Sequence, residues 1–190
     1  MFNIIKRNKK TIEVPMRKEG YRIPEVEFVF RENGEFVNRT SSELFNNKRV
    51  VIFSLPGAFT PTCSAYQLPG FEEKYDEFIG LGIDAIYCIS VNDGFVMNAW
   101  AKDQNIEKVQ LIPDGNAYFT RSMGQLVRKS NLGFGERSWR YAAVVDNGTI
   151  EKLFIEAGQQ DNVDTDPYKE TTPENVLQYV KSTVRELATV

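Results

Sequence analysis

Two apolar runs, Arg49 to Leu55 (RVVIFSL) and Asp84 to Ser90 (DAIYCIS), lack the polar alternation of a half-exposed strand. A continuous run of this kind marks a strand buried on both faces. Helical patterns follow both. One runs from about Ser64 to Ile79, with Pro69 inside it as an expected kink. The other opens at Asn92-Asp93 and is read with Phe95, Val96, Ala99 and Trp100 on one face. Val109 to Ile112 is a third strand, closed by Pro113-Asp114-Gly115. The spacing predicts a βαβαβ unit.

Two hairpins flank this unit. Val26 to Phe30 and Glu35 to Asn38 surround Asn33-Gly34, while Tyr141 to Val145 and Thr149 to Ile155 surround Asp146-Asn147-Gly148. Thr40-Ser41-Ser42-Glu43 reads as a helix start. A last helix begins near Thr172-Pro173-Glu174, with Val176, Leu177, Val180, Val184 and Leu187 along its apolar stripe. The fold class is therefore α/β, with a mixed central β-sheet flanked by helices and an N-terminal hairpin extension. A thioredoxin-like core fits this order. A flavodoxin-like sheet is the competitor, but it does not expect a terminal antiparallel pair. Residues 1–10 (MFNIIKRNKK) read as a basic tail, and residues 11–190 as one domain. The tail's basic residues follow its short apolar part, the reverse of a secretory signal, so the cytoplasm is the expected compartment.

The chain of 190 residues contains no histidine. That removes Ser/His and Cys/His pairs, His proton shuttles and His metal ligands together. Its two cysteines are too few for a zinc site of the usual N/S kind or for a disulfide scaffold. A net charge of -3 gives no electrostatic footprint for nucleic acid, and no apolar stretch is long enough to span a membrane. The chemistry falls to carboxylates, Lys, Arg, Tyr, hydroxyls or the two thiols.

Cys63 stands where the first buried strand passes into a helix, the usual place for reactive groups in α/β proteins. A helix N-terminus offers unpaired amides and partial positive charge, and both favour thiolate over thiol. Thr60, three residues earlier, can place a hydroxyl near the sulfur. Pro56 and Pro61 lack N–H groups and stiffen the loop. A Pro-x-x-x-Thr-x-x-Cys run directly after a buried strand is far more specific than a single cysteine at a helix start.

Pro56-Gly57-Ala58-Phe59-Thr60-Pro61-Thr62-Cys63-Ser64 resembles the active-site loop of peroxiredoxins, thiol peroxidases of the thioredoxin-like fold. It is most similar to the type II (atypical, glutaredoxin- or glutathione-linked) subfamily. Ser90-Val91-Asn92-Asp93, Pro113-Asp114-Gly115-Asn116 and the segment Gly133 to Tyr141 agree in order. The resemblance implies that Cys63 is the peroxidatic thiol, attacking hydrogen peroxide or an alkyl hydroperoxide to become a sulfenic acid. It implies that Arg140 is the catalytic cation, with Arg137 its nearest rival in the sequence. Thr60 would hold the peroxide, helped by the amides of Thr62 and Cys63, and Pro56 would shield the thiolate from water. One position departs from the pattern: many type II members carry His four residues after the peroxidatic Cys, and here it is Gln67, which cannot titrate near neutral pH.

Cys88 has two open readings, a resolving thiol or a buried hydrophobe in a central strand. No cysteine follows it and no C-x-x-C occurs, so the reductant is expected from outside, glutaredoxin with glutathione first and thioredoxin second. No bound cofactor and no metal are expected. The resemblance also implies a homodimer, in which Phe59, Phe95 and Trp100 could belong to an interface or to the core. The competing functions are a disulfide oxidoreductase, a non-catalytic redox sensor or holdase, and a small-ligand-binding module.

Overall fold

The computed structural model describes residues 16–187, with side chains to residue 184. The basic segment 1–10 and the boundary after it lie outside the described residues, as does the side chain of Leu187. Five strands form the central sheet: β3 (Arg49–Ser54), β4 (Ala85–Ser90), β5 (Gln110–Pro113), β8 (Tyr141–Asp146) and β9 (Thr149–Ile155). Their order is β5-β4-β3-β8-β9. β3, β4 and β5 are parallel, β8 runs antiparallel to β3, and β9 antiparallel to β8. This is the mixed sheet that the two apolar runs and the terminal hairpin predict.

Alternate residues of each strand feed two separate apolar layers. Val51, Phe53 and Leu55 of the β3 run, with Ile86 and Cys88 of β4, enter one layer. There they meet Phe71 of α2 (Leu68–Glu73), Phe78 of α3 (Tyr75–Gly80), Met97 and Trp100 of α4 (Gly94–Asp103), and Val176 and Val180 of α6 (Pro173–Leu187). Val50, Ile52, Tyr87 and Ile89 enter the other layer. It is closed by Phe45 of α1 (Ser41–Phe45), Phe119 of α5 (Tyr118–Ser122) and Phe28 of the N-terminal hairpin. That hairpin, β1 (Glu27–Glu32) and β2 (Glu35–Thr40), is a two-stranded sheet of its own.

Local chemistry sets the boundaries. Thr40 caps α1 through a reciprocal capping box with Glu43. Asn33-Gly34 and Asn147-Gly148 all have positive φ, which the tight hairpin turns require. Asp93 caps α4 by accepting from the amides of Phe95 and Val96.

Two expectations need correction. The face of α4 that enters the core is Gly94, Met97 and Trp100; Phe95 is 58% exposed and Ala99 is exposed. The helix is packed through spacing i, i+3, i+6, with Gly94 seated against the backbone of Arg31 in the hairpin. The stretch 64–79 is not one kinked helix. It starts with a π-helical turn, Cys63–Gln67, in which the Leu68 amide reaches back to the Cys63 carbonyl. Pro69 then falls at the start of α2, where its missing N–H does little harm. A second break occurs at Lys74, between α2 and α3. Residues 116–138, where the sequence shows no clear period, hold α5 and a short pair, β6 (Leu126–Arg128) with β7 (Glu136–Ser138).

Phe71 is fully buried, stacked on Phe53 with ring centroids 4.2 Å apart and beside Phe78 at 6.0 Å. Phe71→Ala is expected to lower stability by about 3–5 kcal/mol in urea unfolding, because the ring's neighbours cannot close the cavity.

Candidate active site

The register of the sheet brings the site together. Ser54 of β3 pairs with Tyr141 of β8, so Leu55 and the loop after it leave the sheet beside Arg140. Ala142 packs in the same apolar layer as Cys63. Arg140, two residues earlier, is aimed toward that face by the period of two. Its Nη1 stands 3.5 Å from Cys63 Sγ, with both residues buried, the arginine 1% exposed and the cysteine 0%.

A buried guanidinium must satisfy its donors. Arg140 Nε donates to the Pro167 carbonyl at 3.0 Å and Nη2 to Asp166 Oδ1 at 2.5 Å. Nη1, besides facing the sulfur, donates to Gln67 Oε1. Tyr168 lays its ring 5.6 Å from the guanidinium carbon. Burial works against the positive charge, but Cys63 and Asp166 outweigh it, so the guanidinium holds its proton more firmly than in water.

Gln67 is held in turn. Its Nε2 donates to Thr171 Oγ1 at 3.4 Å, and that hydroxyl donates to Glu156 Oε1 at 2.9 Å. Glu156 Oε1 also accepts from the amides of Lys169, Glu170 and Thr171. The buried carboxylate therefore organises the loop that delivers Asp166 and Pro167 to the arginine. Gln67, noted in the sequence only as a departure from a family pattern, is an acceptor for Arg140. Asp166, Pro167, Thr171 and Glu156 were missed altogether; they come from a segment without strong periodicity, and only its folding back onto β8 shows their role.

The loop before Cys63 is also fixed. Pro56 is buried, and Thr60 Oγ1 donates to the Gly57 carbonyl at 2.8 Å. Phe59 has φ 62°, a left-handed conformation uncommon for a bulky residue. Asn92 Oδ1 holds the loop by accepting from the Ala58 amide at 3.0 Å and from Ser90 Oγ at 2.7 Å. The Ser64 amide bonds to the Thr60 carbonyl at 3.0 Å, which starts the helical turn. Thr62 and Cys63 thus present first-turn amides, which helical bonding leaves unused. Arg137 does not contact Cys63: its Nη1 donates to the Val91 carbonyl at 2.9 Å, and burial lowers its affinity for the proton.

Cys88 sits mid-strand in β4, opposite Phe53 and Leu111 on the neighbouring strands. It and Cys63 are both free thiols in the same apolar layer. Burial pushes the Cys88 thiol well above its usual range, and Cys63 adds to the effect. A cleft of about 270 Å³ opens beside the site, lined by Pro56, Thr60, Pro61 and Thr62 on one wall and by Leu132, Phe134 and Asp166 on the other. Phe59 is 52% exposed and Phe95 is exposed, whereas Trp100 is in the core. Among the described residues no group of three or more His, Cys, Asp or Glu could hold a metal ion, and no helix is long and apolar enough to cross a membrane.

A buried cysteine at a helix start, a guanidinium against its sulfur and a thioredoxin-like sheet define the class of thiol-dependent oxidoreductases. Comparison with known proteins narrows it. The Redoxin family profile matches residues 18–170. A peroxiredoxin of Sinorhizobium fredii is 53% identical over 178 residues, covering 89% of this chain and 93% of the relative. The crystal structure of a Plasmodium falciparum antioxidant protein, described as a 1-Cys peroxiredoxin, superposes with a TM-score of 0.84 at 45% identity, over 87% of this chain and 99% of that one. A reduced peroxiredoxin of Vibrio vulnificus in complex with hydrogen peroxide gives 0.80 at 36% identity, over 87% and 99%. The chain belongs to the peroxiredoxins. It is a thiol peroxidase of a family that needs no bound prosthetic group and draws its electrons from thiols.

Native-state alkylation is expected to leave Cys88 unmodified until the chain is unfolded. Its raised proton affinity also has a thermodynamic signature. Above the ordinary thiol range the unfolded chain releases this proton while the folded chain keeps it, so folding stability falls as pH rises there. Cys88→Ala is expected to flatten part of that loss at roughly pH 9–10, measured by urea midpoints across the range.

Proposed function

We propose that this chain is a type II peroxiredoxin in which Cys63 is the peroxidatic thiol and Arg140 the catalytic cation. The observation that carries this reading is the contact of Arg140 Nη1 with Cys63 Sγ at 3.5 Å inside a water-excluded layer. The sulfur of Cys63 as thiolate attacks the terminal oxygen of the peroxide, ROOH. An S–O bond forms as the O–O bond breaks, the sulfur is oxidised by two electrons to the sulfenic acid, and RO⁻ leaves and takes up a proton as ROH. The developing negative charge is what the site must stabilise. Arg140 supplies a charge that cannot be lost by deprotonation, and the amides of Thr62 and Cys63 supply dipoles. Thr60 holds the peroxide with its hydroxyl oxygen, whose hydrogen is directed to Gly57. Pro56 offers no N–H and keeps water from the sulfur.

The sulfenic acid is resolved by an external thiol. That thiol forms a mixed disulfide with Cys63 and releases water, and a second thiol then reduces the disulfide. Cys88 is not the resolving group in this reading. It lies within a central strand bonded on both sides, and burial keeps it protonated. The similarity of 45% to a protein described as a 1-Cys peroxiredoxin favours the same cycle. Glutaredoxin with glutathione is the first reductant to try and thioredoxin the second. Two unpaired thiols suit a reducing compartment such as the cytoplasm. The exposed Phe59 within the reactive loop suits a homodimer formed through that face.

Intact mass after one equivalent of hydrogen peroxide tests the reading. Wild type and Cys88→Ser are expected to gain one oxygen, and Cys63→Ser none. Steady consumption of peroxide is then expected with glutathione and glutaredoxin. Loss of two hydrogens that requires Cys88 would overturn the external-thiol cycle, and oxidation that survives Cys63→Ser would overturn the assignment of the peroxidatic thiol.

A further inference from the structure

The cleft beside Cys63 joins an apolar wall to an acidic rim. Pro56 and Pro61 line one side, and Leu132, 50% exposed, stands with Phe134 on the other. The rim carries Asp164 and Asp166, both exposed. Lys129 also lines the cleft, but its side chain is almost fully buried. Its Nζ is turned to the carbonyls of Val163 and Thr165 and lies 5.4 Å from the Trp139 ring. Arg140 is equally withdrawn, 1% exposed and engaged by Asp166, Gln67 and Cys63. Lys129 and, behind the cleft, Arg140 are thus held inward, and Arg137, 5.8 Å from the Phe134 ring, is turned to the Val91 carbonyl, while the two carboxylates of the rim face the solvent through which a substrate arrives.

We propose that Asp166, with Asp164 two residues before it, makes this cleft selective for uncharged hydroperoxides and against those bearing a carboxylate. The inference rests on Cys63 being the peroxidatic thiol and names the substrate class of that same site. An uncharged alkyl hydroperoxide lays its tail on Leu132, Phe134 and the prolines at no electrostatic cost. A carboxylate brought to the same mouth meets Asp166 and Asp164 in a partly desolvated cleft, where like charges repel more strongly than in water. Asp166 also denies the incoming carboxylate its natural partner, because it already occupies Arg140 Nη2 at 2.5 Å. One residue thereby both holds the guanidinium toward the sulfur and blocks its use as an anion site.

The test compares a hydroperoxy-hexanoate with its methyl ester, which share a chain and differ in one charge. Wild type is expected to oxidise the ester with kcat/KM at least about fivefold above the acid. For Asp166→Asn and Asp164→Asn, the ester-to-acid ratio is expected to fall toward one. The readout is this ratio, which a general loss of packing would leave in place. Raising the ionic strength on wild type is an independent arm: it is expected to speed the acid and leave the ester unmoved, since salt screens only the charged encounter. An equal rate for acid and ester in wild type, or a ratio untouched by both substitutions and by salt, would overturn the proposal. Failure of the underlying assignment looks different, because Cys63→Ser would then still reduce both substrates.

Discussion

The site depends on one buried charge. A guanidinium taken from water without partners costs several kcal/mol, so its partners must be built into the fold. Arg140 finds them in two separate stretches of chain. The π-helical turn supplies Cys63 and Gln67, and the loop before α6 supplies Asp166 and the Pro167 carbonyl. Each partner is itself restrained, Gln67 by Thr171 and the loop by Glu156. The sulfur is therefore one of several acceptors around a fixed fork. Removing any one leaves a buried donor unpaired, which costs more than a typical hydrogen bond contributes.

The two thiols show how environment separates identical groups. Both are fully buried in the same apolar layer. Cys63 meets a guanidinium at the start of a helical turn. Cys88 meets hydrocarbon on a central strand, which penalises its thiolate. Sequence spacing alone does not distinguish these fates, since each cysteine lies in or just beyond a strong apolar run. The difference is set by which strand pairs with which, and by the antiparallel placement of β8 against β3.

Much of the fold was legible because its signals are local. Uninterrupted apolar runs specified β3 and β4, Asn147-Gly148 specified the β8–β9 turn, and Thr40 with Glu43 specified the start of α1. The segment 116–138 was not legible, because its elements are only three to five residues long and too short to show a period. Apolar spacing points to the wrong face of α4 because Phe95 is apolar yet exposed. It packs edge-on against Phe36, 5.9 Å away, with Arg31 lying 5.2 Å from its ring. At the candidate site, motif order brings forward Cys63, Thr60, Pro56 and Arg140, and the structure places Arg140 against Cys63. Gln67, Asp166 and Glu156 act through contacts between residues about 15 to 100 positions apart, which no linear pattern encodes.

In the proposed cycle the Arg140 guanidinium makes the Cys63 sulfur reactive toward peroxide. Stopped-flow fluorescence of the reduced protein, mixed with hydrogen peroxide, gives the oxidation rate constant for wild type and for Arg140→Lys and Arg140→Met. Arg140→Met is expected to lose about 10²–10³ in rate, as when a donor to the developing charge is removed. Lys is predicted to recover only a small part, because a point charge cannot replace the planar fork. Oxidation at the wild-type rate in correctly folded Arg140→Met would contradict the claim.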